Sequence, residues 1–387
     1  MLLPWLLTAV HPNQQPIASQ SQAEYEFGKA IYFSLFVQGS SPISAVTLFF
    51  RSADMPVTTT VEVPFEPGLE VQARYTVELT EYRPAPFTTI SYWWQVTDTA
   101  GNILDVPAQT FAYEDDRFDW QQLSSDNFII RWTSEDAALG QLALDIINDS
   151  LPRQMAIIPV DLPNPLRFYI YPSISDLQSS LRLTGWDWVG GHTNPELGVI
   201  LVTAANARTA AVELRQSIPH ELAHLMLYQA TGTAYEDLPP WFDEGLAGIM
   251  EANPDPDEQL LLEEAVAAGT TIPFAQLCVA FPSDGRQALL AYAQSASLMR
   301  YIQTDYGNSV LNQMVVALAD GADCDSVTTR ALGISLARLN QNWLQSISPQ
   351  PSLTTFLQGN GIWLLILAAG FGLMLFFLWP VNRRNGS

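Results

Sequence analysis

The stretch His220-Glu221-Leu222-Ala223-His224 constrains this chain more than any other. It acts as a unit only on a helix, where residues four apart share a face and two imidazoles can reach one ion. Glu221 sits about 100° round the helix from His220 by the 3.6-residue period. That places its carboxylate beside such an ion rather than on it, where a general base for metal-bound water belongs. The flanking Val212, Leu214, Ile218, Leu222, Leu225 and Met226 read as an apolar helical face. Pro219 removes a backbone donor, so it either kinks the helix or marks a fresh start before the first ligand.

Two histidines leave such a site incomplete, because a catalytic zinc takes three protein ligands and keeps a fourth position for water. The best third candidate is Glu244, in Leu238-Pro-Pro-Trp-Phe-Asp-Glu-Gly-Leu-Ala247, at the start of an apparent second helix. Together the two segments resemble the gluzincin metallopeptidases, specifically the peptidase MA-like domains of bacterial surface proteins. The likeness covers roughly Asp126 to Ser348. It implies one zinc ion per chain held by His220, His224 and Glu244, with Glu221 as base and proton shuttle. It implies a peptide or protein substrate, hydrolysed by Glu-assisted attack of zinc-bound water. Asp243 or a backbone carbonyl is left to orient a histidine, as groups behind metal ligands commonly do.

The remaining chain divides by pattern. Residues 1–23 are an apolar start, a possible signal remnant, followed by a polar lead-in. Residues 24–113 alternate with period two between turn signals such as Glu66-Pro67-Gly68 and Asp98-Thr99-Ala100-Gly101-Asn102, which reads as an all-β sandwich. Its Tyr92–Asp98 hairpin resembles those of Ig-like or fibronectin type III modules. Glu114–Trp120 is a charged connection. From Phe128 a β-α-β-α-β order precedes the metal helix, and helical periodicity follows Glu244. The expected fold for 120–347 is therefore an α+β zincin-like domain: a small mixed sheet, an active-site helix and a helical C-terminal lobe.

The C-terminal run Gly361–Trp379 is uncharged and long enough to cross a bilayer. Trp363 and Trp379 lie near its ends, and Arg383 and Arg384 follow. This predicts a stalk at 348–360, a transmembrane helix at 361–380 and a cytoplasmic tail at 381–387, with the body outside the cytoplasm. The chain carries a net charge of −23 and a single lysine, Lys29, which argues against a nucleic-acid partner. Cys278 and Cys324 form either one disulfide, if the body is exported, or two buried thiols.

Three further residues are candidates. His192 and Asn194 lie where the family resemblance implies an edge strand above the zinc cleft, able to bind an extended peptide by strand addition. Their alternative is a surface loop. Tyr292 lies on a helix similar to one that returns to the cleft in related peptidases, and can donate its phenol to a developing oxyanion. Its alternative is a packed tyrosine. The rival to a peptidase is a catalytically inactive zincin-fold surface protein acting as a binding module. The retained Glu221 speaks against that rival, since a structural site needs no base.

Overall fold

The computed structural model describes residues 17–182, 191–204, 208–252, 255–348 and 353–378. The apolar start at 1–10, Gly190 and the tail expected at 381–387 lie outside them.

The N-terminal region runs through β1 (Ile17–Glu26), β2 (Ala30–Gln38), β3 (Ile43–Ser52), β4 (Thr59–Glu62), β5 (Glu70–Glu78), β6 (Thr88–Asp98) and β7 (Ile103–Tyr113). These pair antiparallel as two sheets, in the orders β1-β2-β5 and β4-β3-β6-β7. Period-two alternation drives them together. Ile31, Phe33, Leu35 and Val37 of β2 bury against Val46, Leu48 and Phe50 of β3 and Ile90, Trp94 and Val96 of β6. Residues 17–23, expected as flexible lead-in, instead belong to β1, which pairs with β2 from Ile17↔Gln38 to Glu26↔Ala30. Their alternation is Ser21, Ala23, Tyr25 on the half-buried side and Gln20, Gln22, Glu24 outside. An edge strand with so little apolar content shows no hydrophobic run.

A third sheet follows. It uses β8 (Gln121–Ser124), β9 (Phe128–Trp132), β10 (Leu166–Tyr171), β11 (His192–Asn194) and β12 (Val199–Thr203) in the order β11-β12-β10-β9-β8. The inner pairs β9–β10 and β10–β12 are parallel and both outer pairs antiparallel, so the sheet is mixed, with β11 at one edge. Its two faces bury different things. Leu166, Phe168, Ile170, Ile200 and Val202 face α1 (Ala137–Met155) and the α3 helix described below. Tyr169, Tyr171, Val199 and Leu201 face α2 (Ile174–Arg182), together with Phe118, Trp120 and Phe87.

Phe87 comes from the loop before β6, and its ring stacks on Tyr169 with centroids 3.5 Å apart. Its φ of 65° is unusual for a non-glycine residue. The residue is held there by full burial, by its N–H to Tyr113 O (2.8 Å) and by Arg167 Nη1 donating to its carbonyl (3.0 Å). The β-rich region is thus plugged into the sheet on the face away from α3.

The helix α3 (Ala210–Thr231) runs unbroken through Pro219. Proline frees the carbonyl four residues earlier, and that carbonyl, Arg215 O, accepts the N–H of Ala252 at 3.1 Å. The buried Gln154 of α1 donates to Pro219 O at 3.0 Å. The helical lobe then follows with α4 (Pro240–Met250), α5 (Pro256–Ala268), α6 (Phe274–Leu277), α7 (Gly285–Tyr306), α8 (Asn308–Ala319), α9 (Cys324–Leu332) and α10 (Leu336–Ile347).

The expected transmembrane helix is corrected. Residues 361–378 continue a helix, α11 (Leu353–Leu378). Among the described residues, however, no helix is long and apolar enough to cross a membrane. The membrane partner expected from that run is left without support.

Candidate metal centre and cleft

The two histidines project from one face of α3, a turn apart, with their Nε2 atoms 3.2 Å from each other. Each ring is fixed from behind. His220 Nδ1 meets Glu251 Oε1 at 2.9 Å, and His224 Nδ1 meets Asp243 Oδ1 at 2.8 Å. A carboxylate opposite Nδ1 calls for the proton there, which leaves the Nε2 lone pair for a ligand.

Glu244 arrives from α4. Pro240 sits in the first turn of that helix, where its missing N–H costs nothing. Trp241 and Phe242 are fully buried and anchor it. Gly245 and Gly248 let α4 lie directly on α7: a Cβ at 245 would stand 2.7 Å from Ser295 O, and one at 248 would stand 2.9 Å from Ala296 Cβ. Glu244 Oε2 is thereby brought to 3.4 Å from His220 Nε2 and 3.6 Å from His224 Nε2.

These three residues form a group able to hold a metal ion, their ligand atoms all within 4.8 Å of one another. Ligands about 2.0–2.1 Å from a tetrahedral zinc lie about 3.3–3.4 Å apart. The separations of 3.2, 3.4 and 3.6 Å match that edge length. Two nitrogens and one oxygen are also the donor types zinc favours, so the residues fit the ion.

The electrostatics agree. Burial opposes charge on His220, yet Glu244 and Glu251 hold it up to about 10. Burial likewise opposes charge on His224, and Asp243 and Glu244 raise it well above its ordinary value. Burial pushes Glu244 up, but His224 and His220 outweigh that and hold it well below the usual carboxylate range. Without metal, the carboxylates therefore draw protons onto the nitrogens.

Glu221 is 8% exposed, and burial raises its pKa. Its carboxylate does not touch the three ligands' free atoms; Thr193 Oγ1 lies 2.9 Å from Oε2 and 2.8 Å from Glu221 O. A cleft of about 1590 Å³ runs over these groups. His192, Asn194 and Tyr292 all line it, as do Thr193 and Tyr235. Burial, with His224 nearby, pushes His192 down to about 4, so it is neutral near pH 7. Asn194 Oδ1 accepts the N–H of Leu197 at 3.2 Å, within the turn joining β11 to β12.

Tyr292 is half-buried on α7 with its ring edge-on to Phe281 at 4.9 Å. Burial and then Glu244 and Glu221 raise its pKa, so its hydroxyl keeps its proton. Tyr235 is also raised, and its hydroxyl donates to Asp243 Oδ2 at 3.4 Å. Cys278 and Cys324 are bonded as a disulfide with Cα atoms 5.8 Å apart. It lies behind the site, where Trp241 Nε1 donates to Cys324 Sγ at 3.0 Å.

Sequence reasoning singled out His220, Glu221, His224, Glu244, Tyr292, His192 and Asn194, and all seven line the one cleft. It missed Glu251, Thr193 and Tyr235. Glu251 carried a usable signal, since it stands seven residues, or two helical turns, beyond Glu244. Thr193 carried none, because its contact with Glu221 spans 28 positions.

The Peptidase MA superfamily model matches residues 147–349, just over half of the 387-residue chain. No curated protein matches in sequence. Among solved structures, the M1 zinc metallopeptidase from Deinococcus radiodurans is 13% identical, covering 85% of this chain and 93% of that one, with a TM-score of 0.37. An aminopeptidase N family protein from Idiomarina loihiensis is 10% identical, covering 86% and 76%, with a TM-score of 0.38. Legionella pneumophila aminopeptidase A in complex with aspartic acid is 9% identical, covering 87% and 50%, with a TM-score of 0.36. Likenesses this loose carry no weight for mechanism. The match also stops short of the β-rich region, whose Ig- or fibronectin-like label is left without support. On the family match and the ligand geometry together, this chain belongs to the Peptidase MA superfamily.

Proposed function

We propose that the protein is a zinc-dependent peptidase. The observation that carries the reading is the convergence of His220, His224 and Glu244, with the buried Glu221 one position along the same helix. These three residues would hold the zinc. When bound, zinc supplies Lewis acidity, polarising a carbonyl and lowering the pKa of a water.

The chain's own residues would do the rest. Asp243 and Glu251 keep the two imidazoles turned with Nε2 inward. Glu221 takes the proton of the attacking water and passes it to the leaving amine. Tyr292, which keeps its proton and whose hydroxyl bonds no other described residue, donates to the substrate carbonyl oxygen as charge develops there. Tyr235 is the poorer donor for that role, since its hydrogen is directed to Asp243. The outer edge of β11 pairs with an extended peptide, and His192 and Asn194 contact the substrate from that strand. The Cys278–Cys324 disulfide supports a body that works in an oxidising compartment.

The test is a peptide-library digest with the purified protein. Chelator-sensitive cleavage that Glu221→Gln abolishes, while zinc content is unchanged, is the expected result. Cleavage by Glu221→Gln at the wild-type rate would show the assignment to be wrong.

A further inference from the structure

We propose that β11 and the residue before it act as a positioning clamp for the Glu221 carboxylate. Thr193 holds one oxygen, and Gly191 leaves room for the other. The inference rests on the reading of Glu221 as general base.

The geometry is specific. Thr193 Oγ1 is 2.9 Å from Glu221 Oε2 and 2.8 Å from Glu221 O. A hydroxyl has one hydrogen to give. The Glu221 carbonyl lies inside α3 and is served by the helix ladder, so the hydrogen is needed at the carboxylate. Glu221 is a buried residue, and a buried polar group left without a partner is costly. On its other side, a Cβ at position 191 would stand 2.4 Å from Oε1, 2.9 Å from Cδ and 3.0 Å from Cγ of Glu221. Gly191 and Thr193 are two apart, so in extended chain they present the same face. A side chain at 191 would drive the carboxylate off its position, and loss of the hydroxyl at 193 would let it turn.

The clamp also explains why the base sits well despite a mere three-residue strand. β11 is an edge, hydrogen-bonded to β12 on one side only. The strand proposed to receive substrate on its outer edge is therefore the strand that aims the base. Thr193 is a positioning residue, since it acts through Glu221.

The experiment compares the full chain with Thr193→Val, Thr193→Ser and Gly191→Ala, reading kcat, KM and zinc content, and the Glu221 conformation by crystallography. Thr193→Val is expected to lower kcat by up to about 100-fold, the cost of displacing a reacting group by about 1 Å. KM and zinc content should stay near wild type. Thr193→Ser, which keeps the hydroxyl, should restore most of the rate. A wild-type kcat in Thr193→Val, or a loss that Thr193→Ser does not avoid, overturns the clamp. If Thr193→Val fails to fold, Gly191→Ala decides: retained zinc with lowered kcat supports the clamp, and an unchanged kcat overturns it. A wild-type chain that cuts no peptide would end the peptidase reading instead. The clamp would still be decided by crystallography, where an unmoved Glu221 carboxylate in Thr193→Val and Gly191→Ala would refute it.

Discussion

Two charged groups, each built round one buried carboxylate, lie on opposite faces of the same five-stranded sheet, and they are built differently. On one face Asp115, fully buried, accepts from Arg117 Nε at 2.7 Å, Arg117 Nη2 at 2.5 Å and Tyr171 OH at 3.0 Å. One negative charge meets one positive charge, and Phe118 and Trp120 pack edge-on against Tyr171 beside them. On the other face Glu221, Asp243, Glu244 and Glu251 surround only two imidazoles and open to a cleft. No lysine or arginine pairs with any of these four among the described residues. A balanced buried cluster needs nothing further. An unbalanced one is costly until positive charge is supplied, by protons or by a cation. A structural ion cluster is thus separated from a functional one by the charge each lacks.

The largest expected effect falls on the unbalanced side. Glu221→Gln should lower kcat by about 10²- to 10⁴-fold, the usual contribution of a general acid–base group, with the zinc retained. Steady-state kinetics with metal analysis checks it. The balanced side should behave in the opposite way. Asp115→Ala should cost stability toward the low end of about 3–5 kcal/mol, since Arg117 keeps 32% of its side chain exposed. Activity per folded molecule should be unchanged. Urea unfolding with parallel assays would show it, and a loss of activity at full stability would blur the contrast between the two faces.

Next in size, Glu251→Gln should weaken zinc binding by about 10- to 100-fold by loosening His220, measured by competition with a chelator. The smallest effect concerns pH in the metal-free chain. His220 is held up to about 10, above its unfolded value of about 6.5. Its stabilising contribution is complete below about 6.5 and disappears as pH rises through about 10. Glu244 is held low, so its contribution is present above about 4.3 and is lost as pH falls. Zinc must displace the protons on the imidazoles, so its affinity should climb as pH rises from 6 toward 9. Zinc titrations across that interval test the sign; affinity that falls with pH would contradict it.

Local pattern carried much of this into view. The spacing of His220 and His224 placed them on one helical face, and the period-two runs in β2, β3 and β6 marked the sandwich core. What stayed hidden depended on long-range pairing. β1 has too few apolar residues to show its period, and only its partner β2 makes it a strand. Thr193 reaches Glu221 because a sheet edge passes over α3. Pro219 read as either a kink or a fresh start, yet the helix runs through it, and the carbonyl it frees binds Ala252 next to Glu251, which meets His220. The C-terminal apolar run misled in the other direction, since composition alone promised a span that the described helix does not supply.

The most direct measurement is a zinc titration of the chelator-stripped protein alongside Glu244→Ala. The wild type should take up about one zinc per chain, and the variant should hold none under the same conditions. Equal zinc in both, or none in the wild type, would contradict a site built by His220, His224 and Glu244.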